Sequence, residues 1–404
     1  MIRALFDRPE DCGVFDVSDV GTLFVWGPRA SAAPAPVGRR GEPRAALPFA
    51  GGVAGWVPWA CGADFDEMGL HPEELRGQGP ALLAAEGGLW WADGRWVIEG
   101  SAAFHASARA LLAAAAASPA APPGGQAGPA PRLGTPEARA AYISAVAAAR
   151  AHIAAGDIYQ VCLAHRLPPI AVPDAVSAFL RVRAANPAAR GALVRIGDTT
   201  VLSNSPETFL DLDPSPLGLV ARSVPIKGTA RAQAPRAAEL LLASPKETAE
   251  LTMITDLVRN DLGRVAADGA VRWSPRQVRP CGDLLHAEQA VEAQLRPEVG
   301  PWEALGAAFP PGSVSGAPKI RATQIIAALE AAPRGVYCGA IGFQDAGGAA
   351  RWSVAIRVAV IRGGWATVHV GAGIVADSEP AAEWEETLAK AGALVRALTG
   401  GEPA

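Results

Sequence analysis

The chain contains 404 residues, with 36 Lys and Arg against 40 Asp and Glu, so its formal net charge is −4. This balance gives no broad basic surface for a nucleic-acid backbone or an anionic membrane. Half of the residues are hydrophobic, which predicts a globular protein with a sizeable core. The Ala-rich stretch at 102–117 is shorter than the roughly 20 residues of a membrane span, and no secretory signal is visible. We therefore expect a cytoplasmic protein.

The first third of the chain predicts short strands joined by turns. Glycine and Asp-Gly turns punctuate the apolar runs at 51–56 and 89–97, a pattern typical of strands. Residues 118–133 are rich in proline and glycine, which predicts an exposed linker. We expect residues 1–133 to form the N-terminal half of the fold, ending in this linker, and residues 134–404 to form a second, catalytic region.

After the linker, helical and strand-like runs alternate. Thr135 followed by proline is typical of a helix start, apolar side chains recur at helical spacing over 142–153, and the helix is expected to end near Gly156. Residues 192–196 and 199–203 are strand-like runs separated by a two-residue turn. Such hairpins favour an α+β fold over a doubly wound parallel sheet.

Two pairs of glutamates are each spaced three residues apart, so each pair is expected to share one face of a helix. They are Glu247 with Glu250, and Glu383 with Glu386. Ser244 predicts a capping box that explains Glu247 without any ligand. Carboxylates with no His or Cys nearby suit a hard ion such as Mg²⁺. Two solvated helix faces are the alternative.

Residues 309–319 form a loop of small and hydroxyl-bearing side chains that leads into a helix. The backbone N–H groups of such a loop, together with the positive end of the helix dipole, favour an anion. A structural turn that caps the helix is an equal alternative. The sequence lacks the Gly-Lys-Ser/Thr ending of a P-loop here, so no nucleotide site is inferred.

Two single residues, Arg357 and Lys227, are the remaining candidates for a functional role. Residues 352–360 alternate as one strand, with large apolar side chains on one face and Arg357 among small residues on the other. A guanidinium is the natural partner of a carboxylate, although a solvent-facing arginine is the alternative.

Lys227 lies between Pro-Ile and Gly-Thr. A lysine becomes nucleophilic only in a special environment, and a surface lysine in a turn is the alternative.

Six segments together carry a family resemblance, in the order 153–161, 203–210, 225–229, 249–265, 309–319 and 371–378. They resemble the chorismate-utilising enzymes, which include anthranilate, aminodeoxychorismate, isochorismate and salicylate synthases. The resemblance extends from about Tyr142 to the C-terminus, with a weaker match at 51–59. It implies the α+β fold of anthranilate synthase component I, in which two large, mostly antiparallel β-sheets pack together with helices on the outside.

Within this family, the lysine of Pro-Ile-Lys-Gly-Thr is typical of aminodeoxychorismate synthase component I, whereas anthranilate synthases usually carry alanine there. Lys227 therefore favours the first reaction, in which chorismate and ammonia give 4-amino-4-deoxychorismate for 4-aminobenzoate formation. Gln160 stands where the isochorismate-forming branch has a water-activating lysine, which disfavours water as the nucleophile. Anthranilate synthase component I and a non-catalytic chorismate-binding subunit are the alternatives.

The resemblance also implies individual roles. Lys227 would attack the substrate ring, Glu207 would protonate the departing hydroxyl as a general acid, and Glu250 and Glu386 would hold Mg²⁺. The positions that match substrate-binding residues are Gly228, Thr229, His286, Ser313, Tyr337, Arg357, Gly371, Gly373 and Lys390. The sequence departs from the usual family pattern at Cys162, Val224, Val358 and the residues that follow His286.

Ammonia requires a source, and none of the five cysteines stands in a Gly-x-Cys-x-Gly nucleophile motif. The cysteines also lack C-x-x-C spacing, which argues against a zinc site or a disulfide framework. We therefore expect a separate glutamine amidotransferase subunit as the partner that supplies ammonia. No nucleic-acid or membrane partner is expected.

Overall fold

The computed structural model of the protein describes residues 1–17, 21–28, 49, 51–61, 79–117, 132–185 and 187–400. The predicted linker at 118–133 lies outside these residues except for its last two positions. The predicted division of the chain at residue 133 therefore stays a prediction.

Nine α-helices lie within the described ranges. They are α1 (Ile2–Phe6), α2 (Ala102–Ala117), α3 (Pro136–Ala154), α4 (Ala175–Ala185), α5 (Ala237–Ala243), α6 (Pro245–Gly263), α7 (Pro301–Ala308), α8 (Lys319–Leu329) and α9 (Pro380–Thr399). Short 3-10 helices occur at Trp59–Cys61 and Gly312–Val314. None of the helices in this part of the chain has the length and apolar character needed to cross a membrane.

The described residues contain 22 strands. They are β1 (Asp11–Val17), β2 (Gly21–Gly27), β3 (Gly52–Val57), β4 (Ala81–Ala85), β5 (Gly87–Ala92), β6 (Arg95–Gly100), β7 (Gln160–Arg166), β8 (Ile170–Ala171), β9 (Arg190–Ile196), β10 (Thr199–Ser205), β11 (Thr208–Ser215), β12 (Gly218–Val224), β13 (Ile226–Arg231), β14 (Ala266–Trp273), β15 (Gln277–Cys281), β16 (Leu284–Glu288), β17 (Val291–Leu295), β18 (Gly316–Ala317), β19 (Ala340–Asp345), β20 (Ala350–Val354), β21 (Val358–Arg362) and β22 (Trp365–Ile374).

These strands form two large sheets and one small one. The eleven-stranded sheet has the order β18-β7-β22-β21-β10-β9-β1-β2-β5-β6, with β8 also paired to β22. The eight-stranded sheet has the order β14-β17-β12-β11-β20-β19-β3-β4, and the small sheet has the order β13-β16-β15. Neighbouring strands pair antiparallel, as the predicted hairpin between β9 and β10 illustrates.

Local signals in the sequence account for several of these elements. The Thr135 hydroxyl accepts a hydrogen bond from the backbone N–H of Ala138 at 3.2 Å, which caps α3 as predicted. The Ser244 hydroxyl accepts from the N–H of Glu247 at 3.3 Å and caps α6. Both helices also carry proline in the first turn, where its fixed φ suits helix initiation.

The two large sheets pack face to face. The ring of Phe343 on β19 lies 5.7 Å from that of Phe15 on β1 and 6.0 Å from that of Trp90 on β5. The opposite face of the eleven-stranded sheet packs against helices, because Phe104 of α2, Phe179 of α4 and other helical side chains share a second apolar cluster with it. The predicted α+β fold of two packed sheets with outer helices is confirmed.

Two neighbouring strands pass side by side from one large sheet to the other. β10 of the eleven-stranded sheet continues through Pro206 and Glu207 into β11 of the eight-stranded sheet, and β20 returns through residues 355–357 into β21. β10 pairs with β21, and β11 pairs with β20. Hydrogen bonds from Asn204 N to Arg357 O at 3.1 Å and from Val354 N to Glu207 O at 3.2 Å join the two crossings.

The prediction of one uninterrupted strand over 352–360 is wrong, because the chain changes sheets within it. Arg357 has a φ of 52°, in the left-handed region that non-glycine residues rarely adopt. The N–H of Ile356 donates to the carbonyl of Val354 at 2.8 Å and tightens the bend. Large and small side chains keep alternating through this bend, so the sequence pattern did not reveal it.

The fold makes a prediction about its core. Replacing Trp352, which is 1% exposed on β20 and packs near Trp302, with alanine should lower the free energy of unfolding by about 3–5 kcal/mol. The cavity left between the eight-stranded sheet and α7, which carries Trp302, causes this loss. The control is Trp365→Ala, because Trp365 is 57% exposed and its loss should change stability by about 0.5 kcal/mol or less. Urea unfolding measures both, and equal losses would contradict the packing.

Candidate active site

A cavity of about 220 Å³ lies beside the crossing strands. This volume is below the roughly 300–1,000 Å³ of sites for drug-sized molecules, so it suits a small ligand. The predicted catalytic and substrate-binding residues all line it: Glu207, Lys227, Gly228, Thr229, His286, Ser313, Tyr337, Arg357, Gly371, Gly373 and Lys390. The structure thus brings these residues together, while their individual roles stay predictions.

Glu207 is a buried carboxyl in the segment between β10 and β11. Desolvation on burial raises the pKa of Glu207 to about 7. Ser313 and the backbone N–H of Ile226 hydrogen-bond the carboxylate, and the positive charges of Lys227 and Arg357 also favour its ionised form. A carboxyl with a pKa near neutrality can both hold and release a proton, so this site can supply an acid.

Lys227 lies on β13 with its side chain only 16% exposed. Its Nζ lies 4.0 Å from Glu250 Oε2, and a Cβ placed on Gly373 would lie 3.6 Å from that Nζ. Gly228 has a φ of 83°, and a Cβ there would meet a Glu247 carboxylate oxygen at 2.8 Å. Glycine therefore lets β13 pass close to α6 and brings the lysine amine between the acidic helix and β22.

Arg357 and His286 give the cavity a polar end. Among the described residues, Arg357 Nη1 and His286 Nε2 are buried without a hydrogen-bond partner. His286 Nδ1 lies 3.0 Å from Thr229 Oγ1. Burial, with the charge of Arg357, lowers the pKa of His286 to about 4, so the imidazole is neutral at pH 7. Buried polar groups require partners, and this arrangement favours a ligand that carries a carboxylate.

Strand β22 and helix α9 form another wall. Lys390 on α9 donates from Nζ to the carbonyl of Gly371 at 3.3 Å and pairs with Glu386 at 2.7 Å. The ring of Tyr337 stacks on that of His369, with centroids 5.7 Å apart. A Cβ on Gly371 would lie 2.5 Å from the carbonyl oxygen of Leu163, so only glycine lets β22 approach β7 this closely.

The cavity opens into a wider groove lined by four glutamates. Glu247 and Glu250 come from α6, and Glu383 and Glu386 come from α9. The two predicted helix faces therefore do meet at one place. Burial, together with the charge of Glu250, raises the pKa of Glu247, and burial also raises the pKa of Glu383. Carboxylates with raised pKa values gain from a nearby cation.

The donor atoms of this groove fit Mg²⁺ better than a softer metal. No three His, Cys, Asp or Glu side chains within the described ranges lie close enough together to hold a metal ion by themselves. An ion at Glu250 and Glu386 would need water or ligand oxygens as well, as Mg²⁺ usually does. An all-carboxylate donor set also disfavours ions that prefer thiolate or imidazole. The predicted Mg²⁺ ligands stay a prediction.

The family model described as chorismate binding enzyme matches residues 29–396. The chain belongs to this family. Anthranilate synthase component 1 of Thermus thermophilus is 40% identical over 282 residues, covering 68% of this chain and 60% of that protein. Aminodeoxychorismate synthase of Streptomyces griseus is 42% identical over 266 residues, covering 64% of this chain and 36% of that protein.

A solved structure supports the same membership. The crystal structure of anthranilate synthase component I from Streptococcus pneumoniae superposes with a TM-score of 0.77 at 27% identity, covering 95% of this chain and 90% of that chain. The chain spans about half to three fifths of the length of the first curated relatives it matches. Because relatives of this chain carry two different names, membership alone does not define its reaction.

The wall of the cavity contains further residues that the motifs did not single out. They are Arg334, Cys338 and His369, and Cys162, noted above as a departure from the family pattern, lines the cavity as well. His369 precedes Gly371 by two residues on β22, so strand alternation predicts that both share a face. The sequence around Arg334 gives no comparable signal, because no pattern there shows that this charged side chain is buried.

Replacing Ser313 with alanine should raise the pKa of Glu207 above its value of about 7, because the carboxylate loses a hydrogen-bond donor. Infrared difference titration of the protonated carboxyl, referenced to Glu207→Gln, measures this shift. The matched control is Ser205→Ala, since the Ser205 hydroxyl contacts the backbone N–H and C=O of Glu207. An unchanged or lower pKa in the Ser313 variant would show that this hydroxyl does not stabilise the carboxylate.

Proposed function

We propose that this chain is an aminodeoxychorismate synthase component I, which converts chorismate and ammonia to 4-amino-4-deoxychorismate for 4-aminobenzoate formation. The observation that carries the proposal is the placement of Lys227 in the same small cavity as Glu207. A lysine amine beside a buried carboxyl with a pKa of about 7 provides a nucleophile and an acid for one displacement.

The cavity offers a complementary group for each end of a dicarboxylate such as chorismate. Arg357 and Tyr337 would hold the carboxylate of the enolpyruvyl group, because a guanidinium and a phenol both donate hydrogen bonds. Lys390 and the backbone at Gly371 and Gly373 form the facing wall. The ring carboxylate would lie toward Glu250 and the groove.

Glu250 and Glu386 are the proposed ligands of Mg²⁺, with Glu247 and Glu383 adding negative charge to the same groove. When bound, Mg²⁺ would supply Lewis-acid polarisation of the ring carboxylate. Lys227 and Lys390 each lie close to one of the proposed ligands, at 4.0 Å from Glu250 and 2.7 Å from Glu386. These ammonium groups balance the carboxylate charge of the groove.

The Lys227 ammonium would first release a proton to water. Its amine would then form a C–N bond with the ring diene, the double bonds would shift, and the C–O bond of the ring hydroxyl would break. Glu207 would give its proton to this hydroxyl, which leaves as water. Ammonia would then bond to the carbon that carried the hydroxyl, and the double bonds would shift back as the lysine amine departs. The proton that the added ammonia loses would restore Glu207, so chorismate and ammonia give the amino product and water.

Ammonia would come from a glutamine amidotransferase subunit. Several relatives are named component 1 of anthranilate synthase, and this naming supports a two-component assembly. Anthranilate synthesis is the second candidate reaction, because those relatives align over 64–68% of this chain. It would eliminate pyruvate, whereas the amination proposed here leaves the enolpyruvyl ether intact.

The purified chain, supplied with chorismate, Mg²⁺ and ammonium, should form 4-amino-4-deoxychorismate, identified by chromatography and mass spectrometry. Lys227→Ala should lower the rate by at least about a thousandfold, because the nucleophile is lost. Lys227→Arg is the control for charge, since it keeps the cation but offers no amine, and it should be equally inactive. Anthranilate as the main product, or an active arginine variant, would refute the proposed reaction or the lysine's role.

Metal binding is testable without turnover. Glu250→Gln and Glu386→Gln should each weaken binding of Mn²⁺, a paramagnetic probe for the Mg²⁺ site, by at least about tenfold in electron paramagnetic resonance titrations. Glu385→Gln is the matched control, because this neighbour on α9 is 66% exposed and lies 4.0 Å from Arg139. In the same preparations EDTA should abolish turnover and Mg²⁺ restore it. Unaltered Mn²⁺ binding, or full activity in EDTA, would exclude the proposed ligands.

A further inference from the structure

Three consecutive carbonyls of the loop that carries Ser313 are held by donors from two other segments. The Cys162 thiol donates to Ser313 O at 3.4 Å, Arg334 Nη1 donates to Val314 O at 3.0 Å, and the Cys162 N–H donates to Ser315 O at 2.8 Å. Donors outside the loop therefore add to its own hydrogen bonds from Val314 N to Pro311 O and from Ser315 N to Gly312 O in fixing these peptides.

Arg334 joins these segments through one guanidinium that is only 1% exposed. Its Nη2 donates to the carbonyl of Cys162 at 2.6 Å, and its Nε and Nη2 form a two-pronged pair with Glu330 at 2.9 and 2.7 Å. The ring of Trp59 covers the guanidinium at 4.2 Å. Glu330 also accepts from the N–H of Ala164 at 2.8 Å, which fixes β7 on the same pair.

We propose that Arg334 is a positioning residue for Glu207 and acts through Ser313. Arg334 holds Val314 and the backbone of Cys162, Cys162 holds Ser313, and the Ser313 side chain hydrogen-bonds the Glu207 carboxylate. This inference rests on the proposed function, in which Glu207 is the general acid. Trp59 completes the arrangement from the N-terminal region of the chain.

The hydrogen bonds by which Arg334 and Cys162 hold the Ser313 loop are called the brace below. They matter because a general acid must be placed accurately against its substrate. A misplacement of about 1 Å can lower a rate by about a hundredfold, and Glu207 lies on a connecting segment between two sheets. The planar guanidinium donates to two carbonyls and a carboxylate at fixed angles, whereas a lysine ammonium is a single flexible point charge. Arg334→Lys therefore preserves the charge while losing the brace.

The test is a double-variant cycle. Arg334→Lys and Ser313→Ala should each lower kcat for chorismate by about tenfold, with KM for chorismate changed less than about threefold. The double variant should be no more than about threefold slower than the slower single variant, because both changes remove the same support. Reductions that multiply to about a hundredfold, or an effect that falls on KM alone, would overturn the inference.

Matched variants separate positioning from general loss of structure. Arg351→Lys is the control, because Arg351 also donates to a backbone carbonyl, Leu212 O at 3.0 Å, and pairs with Asp213 at 2.6 Å, outside the cavity. Its kcat should be unchanged. Trp59→Leu and Cys162→Ala keep the buried ion pair and should lower kcat with little change in KM. If Arg334→Lys is not recovered folded, these two variants decide the question, and unchanged kcat in both would refute it.

A measurement without turnover distinguishes failure of this inference from failure of the proposed function. Loss of the brace should raise the pKa of Glu207 in Arg334→Lys in the same direction as in Ser313→Ala, with Lys227 on β13 and Arg357 beside β21 still facing the carboxyl. If the chain forms anthranilate instead, the reaction proposed above fails while this shift still supports the brace. An unshifted Glu207 overturns the brace whatever the product.

Discussion

The site depends on the paired crossing of two strands between the large sheets. An antiparallel pair that changes sheets must place a few residues outside both ladders, and here those residues include Glu207 and Arg357. Backbone hydrogen bonds at 3.1 and 3.2 Å tie the two crossings to each other, so the carboxyl and the guanidinium are held by the same pairing that builds the sheets. The left-handed backbone of Arg357 is the local strain associated with this arrangement.

Burial sets the chemistry at that crossing. A formal net charge of −4 says little about the site, where positively charged side chains lie next to carboxylates. Glu207 is desolvated enough that its pKa is about 7 even with Lys227 and Arg357 nearby. In the groove, Lys227 and Lys390 lie against Glu250 and Glu386, so the groove holds neighbouring groups of both signs and not a single sign of charge.

Periodicity and capping predicted the elements, and the family motifs predicted which side chains meet. The Thr135 cap and the β9–β10 hairpin follow from signals within a few neighbouring residues. The convergence of the cavity residues, which are far apart in sequence, was predicted only through the family resemblance. The passage of the chain from one sheet to the other at Arg357 could not be predicted, because large and small side chains alternate without a break there. The burial of Arg334 could not be predicted either. Its partners on β7 and beside Ser313 lie 172 and 20 residues away in sequence, and only the folded chain brings them together.

The N-terminal residues contribute to this site through the sheets as well as through Trp59. β1 pairs with β9 in the eleven-stranded sheet, and β3 pairs with β19 in the eight-stranded sheet. Without those strands, β9 and β19 would present unpaired backbone edges, which proteins normally cover. Since β9 is the neighbour of β10 and β19 the neighbour of β20, each N-terminal strand lies one strand away from a crossing. The early part of the sequence therefore supports Glu207 and Arg357 from both sheets, even though it supplies neither residue.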